Sequence, residues 1–331
     1  MQAIQVFDYG ERDALRLADV PPPVPGEGEA LVRLRYAGVN FIDVYMRKGL
    51  YRHSDTYGAE LPIILGMEGG GTVAAVGPGV GKVRPGDPVA YCLSRGSYAQ
   101  YAMVPAWRLV KVPGAVPLEI ATALMLQGCT AHYLSHSLFA LGPDHTCLFH
   151  AGAGGVGQLF IQLARSRGAR VLTTVGSAEK VDIVRNLGAE PILYKEVDFH
   201  EAVMDLTGGR GVDVVYDSVG KDTIDRSIRS LRRRGVCANF GGSSGMVTDI
   251  KPLDLAEAGS VFFTRPHLAH YLADAEEIAD RVTDLFGAVE RGQLHVTIDR
   301  IFPLAQAGDA HATIEARQAK GKLLLAIPSP A

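Results

Sequence analysis

The sequence predicts an α/β protein, a doubly wound parallel sheet joined to a β-rich domain. Three observations carry this reading. The first 124 residues are short apolar runs broken by Gly and Pro, among them "AIQVF", "ALVRLRYAGV", "GTVAAV", "DPVAYC" and "SYAQYAMV", the pattern of many short strands and turns. From Thr146 onward, strand-like and helix-like segments alternate, which implies parallel strands with helices on both faces. At the first strand–helix junction of that half stands a glycine-rich loop, "HAGAGGVG".

The elements follow in order. Around residue 120 the texture changes, and "LEIATALMLQGCTAHYLSHSLF" has helical character. "TCLFHA" is a strand, 156–167 a helix, "ARVLTTVG" a strand and 178–187 a helix. "VDVVYDSVG", "GVCANFGG" and "SVFFT" are three more strands. The triplet Arg232–Arg234 precedes Gly235 and reads as a helix C-terminus. Near 273–291 a helix carries Ile278, Val282, Leu285, Phe286 and Val289 on one face. Strand-like "HVTIDRIF", a helix near 304–319 and "KLLLAIP" complete the chain. The expected division is a β-rich domain over 1–124, a nucleotide-binding domain over 125–266 and a return to the first domain over 267–331.

Composition bounds the function. The 331 residues are 47% hydrophobic with net charge −3, enough for two cores. The balance of charge favours neither nucleic acid nor an anionic membrane as partner. "MQAIQVFDYGERDAL" has no apolar stretch of signal-peptide type, and no run is long enough to cross a bilayer. Cys92, Cys129, Cys147 and Cys237 form no CxxC pair, so neither a zinc knuckle nor a disulfide framework is expected, and a reducing cytoplasm fits.

The loop gives the cofactor class. Gly152, Gly154 and Gly157 make G-x-G-x-x-G within 149–177. The motif follows an apolar strand and opens a helix whose Val156, Leu159, Phe160, Leu163 and Ala164 share a face. Arg165, Arg167 and Gly168 mark the helix end. A second strand follows at βαβ distance, which makes a dinucleotide site. That strand ends Thr174-Val175-Gly176-Ser177, without the carboxylate that would hold a ribose 2′-OH and repel a 2′-phosphate. Ser177 as helix cap and Lys180 in the first turn make an anion site, so NADPH is expected. Glu179 is read as an acid stabilised by the helix dipole.

A second glycine run, "GMEGGG" at 66–71, precedes "TVAAVGPGVGKVRPGDPVAY". The β-branched, proline-rich sequel is strand and turn, so this run lacks the helix N-terminus a phosphate needs.

With these motifs in place, the chain resembles the medium-chain dehydrogenase/reductase superfamily. The resemblance is carried by "VGPGVGKVRPGDPV", "NFIDVYMRKGLY" at 40–51, "HAGAGGVG", "YDSVG" at 216–220, "FGGSSG" at 240–245 and "TRP" at 264–266. Together these resemble the zinc-free quinone oxidoreductase (zeta-crystallin-like) branch, from about residue 30 to the end. The resemblance implies a GroES-like catalytic domain beside a Rossmann domain. Where zinc-dependent relatives have Gly-His-Glu, this chain has Gly66-Met67-Glu68, and a thioether suits Zn²⁺ poorly. Asn40 or a neighbour replaces the first cysteine ligand. The glycines are expected to let a turn pass close under cofactor or substrate, and Glu68 to be a buried carboxylate tied by hydrogen bonds. His132 and His136 lie four apart without a third ligand. No metal is expected.

The resemblance also implies the site. Asn40, Asp43, Tyr45 and Tyr51 would line the nicotinamide cleft as catalytic residues. Gln127 and Thr130, taken to open the helix into the second domain, would contact the cofactor. So would Gly152, Ala153, Gly154, Gly155, Val156, Gly157, Gly176, Ser177 and Lys180. Tyr194 would meet the 2′-phosphate. Ser218, Phe240, Gly241, Ser243, Phe263, Thr264 and Arg265 lie at C-terminal strand ends, and Arg317 is placed in the last helix. The implied activity is zinc-independent, NADPH-dependent hydride transfer to a quinone, with an enone or alkenal as the alternative acceptor. No strong general acid stands out, so polarisation by hydrogen bonds and protonation by solvent are expected. A structural or RNA-binding role is the alternative of another class, and the lack of a basic stripe argues against it. The apolar last strand near 260–264 predicts an edge that pairs with a second copy, giving a homodimer.

Overall fold

Alternating burial along the early strands decides the first half. In 29–39, Ala30, Val32 and Leu34 are buried while Arg33 and Arg35 are exposed, the period-two pattern of a strand with one face inward. The computed structural model describes residues 1–330. In chain order, strands β1 (Gln2–Val6), β2 (Leu15–Asp19) and β3 (Glu29–Val39) precede helix α1 (Phe41–Arg47). Strands β4 (Ile63–Ile64), β5 (Glu68–Val76), β6 (Pro88–Cys92), β7 (Tyr101–Pro105) and β8 (Val110–Lys111) lead to α2 (Leu118–Tyr133). Then come β9 (Thr146–His150), α3 (Gly155–Ser166), β10 (Arg170–Val175), α4 (Ala178–Asn186), β11 (Glu190–Leu193) and α5 (Phe199–Leu206). They are followed by β12 (Val212–Asp217), α6 (Ile224–Arg229), β13 (Leu231–Asn239), α7 (Pro252–Glu257) and β14 (Phe262–Thr264). Helix α8 (Ala275–Glu290), β15 (Ile298–Pro303), α9 (Ala307–Glu315) and β16 (Lys322–Ala326) complete the order.

The chain forms two compact units, Met1–Cys129 with Leu272–Ala331, and Thr130–Tyr271. In the first, a seven-stranded sheet runs β15-β16-β3-β5-β6-β8, with β7 also paired to β3. Its ladders are antiparallel except β15–β16. The glycines of 66–71 serve this sheet. Gly66 has φ +95, and a Cβ there would meet the Tyr98 backbone nitrogen at 2.7 Å. Gly70 and Gly71 lie in β5, where a Cβ would overlap Thr122 and the Arg33 carbonyl respectively. The close approach is therefore by the chain's own atoms, and the run is largely strand, not a turn beneath a ligand.

In the second unit the six strands run β11-β10-β9-β12-β13-β14, all parallel. The order reverses between β9 and β12, the place where such sheets bind ligands at their C-terminal strand ends. Leu148, Leu172, Val215 and Cys237 are buried with Phe199 and Val203 of α5 and Ile224 and Ile228 of α6. Phe149, Phe160 and Tyr216 form an aromatic cluster, with ring centroids at 4.3 Å for Phe149–Phe160 and 4.6 Å for Phe160–Tyr216.

Three local expectations are corrected. Arg232–Arg234 opens β13 rather than ending a helix: Arg232 pairs with buried Asp213, and Arg234 has φ +58. The Arg232–Asp213 pair joins neighbouring parallel strands, a contact that a local reading of Gly235 misses. Gln127 and Thr130 lie in the last turns of α2, which begins at Leu118. Arg317 lies beyond α9, with φ +57 just after the C-cap Ala316.

Candidate functional site

In the first unit, polar side chains converge around the start of α1. Asn40 is the N-cap, and the Asp43 carboxylate accepts its backbone N–H at 2.9 Å, half of a capping box. The Asn40 amide is itself committed. Its Nδ2 donates to Glu68 Oε2 at 2.9 Å, and its Oδ1 accepts from Lys322 Nζ at 2.8 Å and Gln127 Nε2 at 3.4 Å. Glu68 also accepts from the Leu126 N–H at 2.6 Å and forms an ion pair with Lys322. Glu68 is thus a buried carboxylate held by hydrogen bonds, as the sequence indicates.

A second chain of contacts runs from Asp43 into the interior. Tyr98 Oη lies 3.3 Å from Asp43 Oδ2 and 3.1 Å from His311 Nε2, and His311 Nδ1 lies 3.1 Å from Arg47 Nη1. A guanidinium only donates, so His311 Nδ1 accepts and Nε2 carries the proton. His311 therefore donates to Tyr98, and Tyr98 donates to Asp43. Arg47, fully buried, forms a bidentate pair with Glu315 at 2.9 and 3.0 Å. Burial, reinforced by Arg47, lowers His311 to about 3 and keeps it neutral. Burial raises Asp43 to about 7 against the hydrogen bond from Asn40 and the charge of Lys322. Asp43 is therefore only partly ionised near neutrality, and its protonation changes the charge of the cluster.

Next to this cluster is an aromatic group. Tyr45 and Tyr51 meet edge to face with centroids 5.8 Å apart, and Tyr51 and Tyr57 are 5.2 Å apart. Of the four sequence-derived catalytic candidates, Asn40 and Asp43 belong to the polar cluster, and Tyr45 and Tyr51 to the aromatic one.

In the second unit the glycine-rich loop has the form a pyrophosphate requires. Gly154 is the N-cap of α3. A Cβ at Gly157 would meet Gly152 Cα at 2.6 Å and the Ala151 carbonyl at 2.7 Å, so the third glycine lets helix and strand pack closely. A Cβ at Gly152 would overlap Thr173. At Gly154 it would meet only the Ala151 carbonyl, at 3.3 Å, which leaves the outer side of the loop open. Ala153, Gly155 and Val156 complete the loop and first turn. Ser177 is the N-cap of α4 with no side-chain capping bond, and Lys180 lies in the first turn. Tyr194 follows β11, its hydroxyl 3.2 Å from where a Gly176 Cβ would stand. Gly176, Ser177, Lys180 and Tyr194 are thus gathered at two adjacent strand ends. Ser218 follows β12, Phe240, Gly241 and Ser243 follow β13, Phe263 and Thr264 lie in β14, and Arg265 comes directly after it. The residues present fit a dinucleotide with an extra phosphate.

Comparison with known proteins places the chain. Residues 26–114 match the alcohol dehydrogenase GroES-like domain and 155–286 the zinc-binding dehydrogenase family. The chain is 40% identical to a quinone oxidoreductase of Pseudomonas aeruginosa over 97% of this chain and 98% of that one. It is 42% identical to a 2-haloacrylate reductase of a Burkholderia species over 98% of each. The structure of Escherichia coli quinone oxidoreductase complexed with NADPH superposes with TM-score 0.95 at 38% identity, over 98% of this chain and 100% of that one. The chain belongs to the quinone oxidoreductase branch of the medium-chain dehydrogenase/reductase superfamily.

That superfamily includes zinc enzymes, and the donor set here does not fit the metal. Met67 is a weak ligand, and the Glu68 carboxylate is already engaged by Lys322, Asn40 and Leu126. His132 and His136 stack on each other at 4.0 Å. Among the described residues no group of three or more His, Cys, Asp or Glu is placed to hold a metal ion. No helix there is long and apolar enough to cross a membrane.

Sequence reasoning missed Lys322, Tyr98, His311, Arg47 and Glu315. The Asn40–Asp43 spacing was the available local signal for the capping box. The other contacts join residues far apart in the chain, for which a single sequence has no spacing rule.

Proposed function

We propose that this quinone oxidoreductase family member is an NADPH-dependent reductase of conjugated carbonyl acceptors, with a quinone as substrate. The observation that carries the reading is the gathering of Ser177, Lys180 and Tyr194 beside a strand tip without a carboxylate, a set of groups suited to an anion. When bound, the reduced nicotinamide supplies a hydride. Quinone, NADPH and a proton give hydroquinone and NADP⁺.

The chain's own work is binding and orientation. The loop at 152–157 holds the pyrophosphate through α3's N-terminal N–H groups. Ser177, Lys180 and Tyr194 hold the 2′-phosphate. Gln127, Thr130, Ser218, Phe240, Gly241, Ser243, Phe263, Thr264, Arg265 and Arg317 remain proposed cofactor contacts. Tyr45 and Tyr51 offer ring surface to a flat acceptor. Asn40 acts through the cluster it caps, because its amide is bonded to Glu68, Lys322 and Gln127. Asp43 is buried, so the proton is assigned to solvent and Asp43 sets the charge at the start of α1. The reading includes a cytoplasmic homodimer paired along β14.

Similarity to the Burkholderia 2-haloacrylate reductase favours a second acceptor class, a carbon–carbon double bond conjugated to a carboxylate. The test is NADPH oxidation with a panel of quinones, enones and 2-haloacrylates. Turnover of quinones above the other classes supports the reading. Turnover confined to haloacrylates or enones assigns the second acceptor instead.

A further inference from the structure

A buried polar chain crosses the second unit beneath the point where strand order reverses, and neither the cofactor contacts nor the hydride chemistry uses it. The Ala151 N–H donates to Thr174 Oγ1 at 3.2 Å. Thr174 Oγ1 lies 3.0 Å from His150 Nδ1, and His150 Nε2 lies 2.9 Å from Ser227 Oγ. Ser227 donates to Asp217 Oδ2 at 2.7 Å. The other Asp217 oxygen accepts the N–H groups of Val219 and Gly220, both at 2.8 Å. His150, Thr174, Asp217 and Ser227 are all buried.

Donor counting, with a neutral imidazole, gives the direction of each bond. An aspartate carboxylate only accepts, so the single Ser227 proton goes to Asp217. Ser227 Oγ must then accept from His150, which puts the imidazole proton on Nε2. In the neutral imidazole that burial favours, His150 Nδ1 is then the acceptor, and Thr174 fills it with its own hydroxyl proton. The order is Ala151 N–H to Thr174, Thr174 to His150, His150 to Ser227, Ser227 to Asp217. A protonated imidazole would reverse the Thr174 bond, with Nδ1–H donating to an oxygen that already accepts the Ala151 N–H. Burial holds His150 below its ordinary range, helped by Arg226 and opposed by Asp217, whose Oδ2 is 3.9 Å from Nε2. The Phe199 ring packs edge-on against it at 4.8 Å.

The two ends of the chain are the two arms of the nucleotide site. Ala151 enters the glycine-rich loop with φ +61, a conformation that costs a non-glycine residue energy and needs support. Val219 and Gly220 follow Ser218 at the end of β12. We infer that His150 is a positioning residue, a neutral imidazole of fixed tautomer that couples the entrance of the glycine-rich loop to the loop after β12. This rests on the proposal that the second unit binds NADPH. Breaking either side of the imidazole uncouples the arms, so a second break adds little.

A double-mutant cycle on NADPH binding tests this. Thr174→Val and Ser227→Ala each remove one side of His150, and their residues are not bonded to each other. Each is expected to weaken NADPH about tenfold, the scale of one buried hydrogen bond, and the double variant to bind about as the weaker single. In a His150→Phe background neither change should add further loss. Losses that multiply to about a hundredfold, as independent sites require, would overturn the coupling. The wild-type protein supplies a second readout free of folding effects. Nitrogen NMR of the His150 ring should show a neutral Nε2–H tautomer that does not titrate near the ordinary histidine range, and a Nδ1–H tautomer or an ordinary titration would sink the inference. If the wild type does not bind NADPH, the proposed function fails, and the tautomer still decides the hydrogen-bond chain.

Discussion

Lys322 and Glu68 form an ion pair across an intervening strand. Lys322 opens β16, Glu68 opens β5, and β3 lies between them in the sheet. The side chains are 1% and 0% exposed. Gly38 of β3, paired with Leu324 of β16, makes this possible, because a Cβ there would overlap the Glu68 carboxylate. The pair then positions Asn40, whose amide bonds to both partners.

Removing one partner of a buried ion pair leaves the other charge uncompensated. Lys322→Met is expected to destabilise the fold by about 3–5 kcal/mol in urea unfolding. Lys322→Met with Glu68→Leu should lose less than the single change. A loss below ~1 kcal/mol for Lys322→Met would show that the pair is not a structural element. Gly38→Ala should be destabilising on the same assay.

Asp43 and His311 make opposite contributions to pH dependence. Asp43 moves from 3.8 to about 7 on folding. Between those values the folded chain holds the extra proton, so stability falls as pH rises. His311 moves from 6.5 to about 3. There the unfolded chain holds the extra proton, so stability rises with pH. The two slopes oppose each other where the windows overlap. Asp43→Asn is expected to uncover a stability that climbs with pH by up to about 1.4 kcal/mol per pH unit. His311→Gln should uncover the reverse slope. Two flat profiles would contradict the account.

What the sequence revealed was local. The loop at 152–157 was legible because strand, glycines, apolar helix face and C-terminal Gly168 fall within one βαβ unit. Arg232–Arg234 was misread because Gly235 imitates a helix stop, while the partner that draws Arg232 into a strand, Asp213, lies on the neighbouring strand. The glycines of 66–71 were read correctly as no phosphate site. Their reason, close approach of Thr122, Arg33 and Tyr98, needed the tertiary structure. Lys322 had no local signature, since its partner Glu68 lies 254 residues away. The tautomer of His311 follows from the Arg47 donor it faces, and that of His150 from its hydrogen-bond partners together with the burial that keeps it neutral.

Assembly is testable at β14. This strand pairs only with β13 in the six-stranded sheet, and Phe262 is 64% exposed. Exposed apolar edges invite pairing with another chain. Phe262→Lys is expected to shift the protein from dimer to monomer in light scattering with NADPH binding retained. A wild-type monomer at micromolar concentration would end the proposal.

In the proposed reading, Lys180 is the charged side chain that would recognise the 2′-phosphate. Lys180→Ala is expected to weaken NADPH by about 1.5–3 kcal/mol, the value of a charge-assisted hydrogen bond, and to leave NADH nearly unchanged. Equal losses for both coenzymes would place Lys180 away from the 2′-phosphate.

The central claim is NADPH-dependent reduction without a metal. Its most direct test is kcat/KM for NADPH and for NADH with one quinone, measured before and after exhaustive treatment with a chelator. A clear preference for NADPH and an unchanged rate after chelation are expected. Equal use of NADH, or activity lost with a stoichiometric metal and restored by zinc, would contradict it.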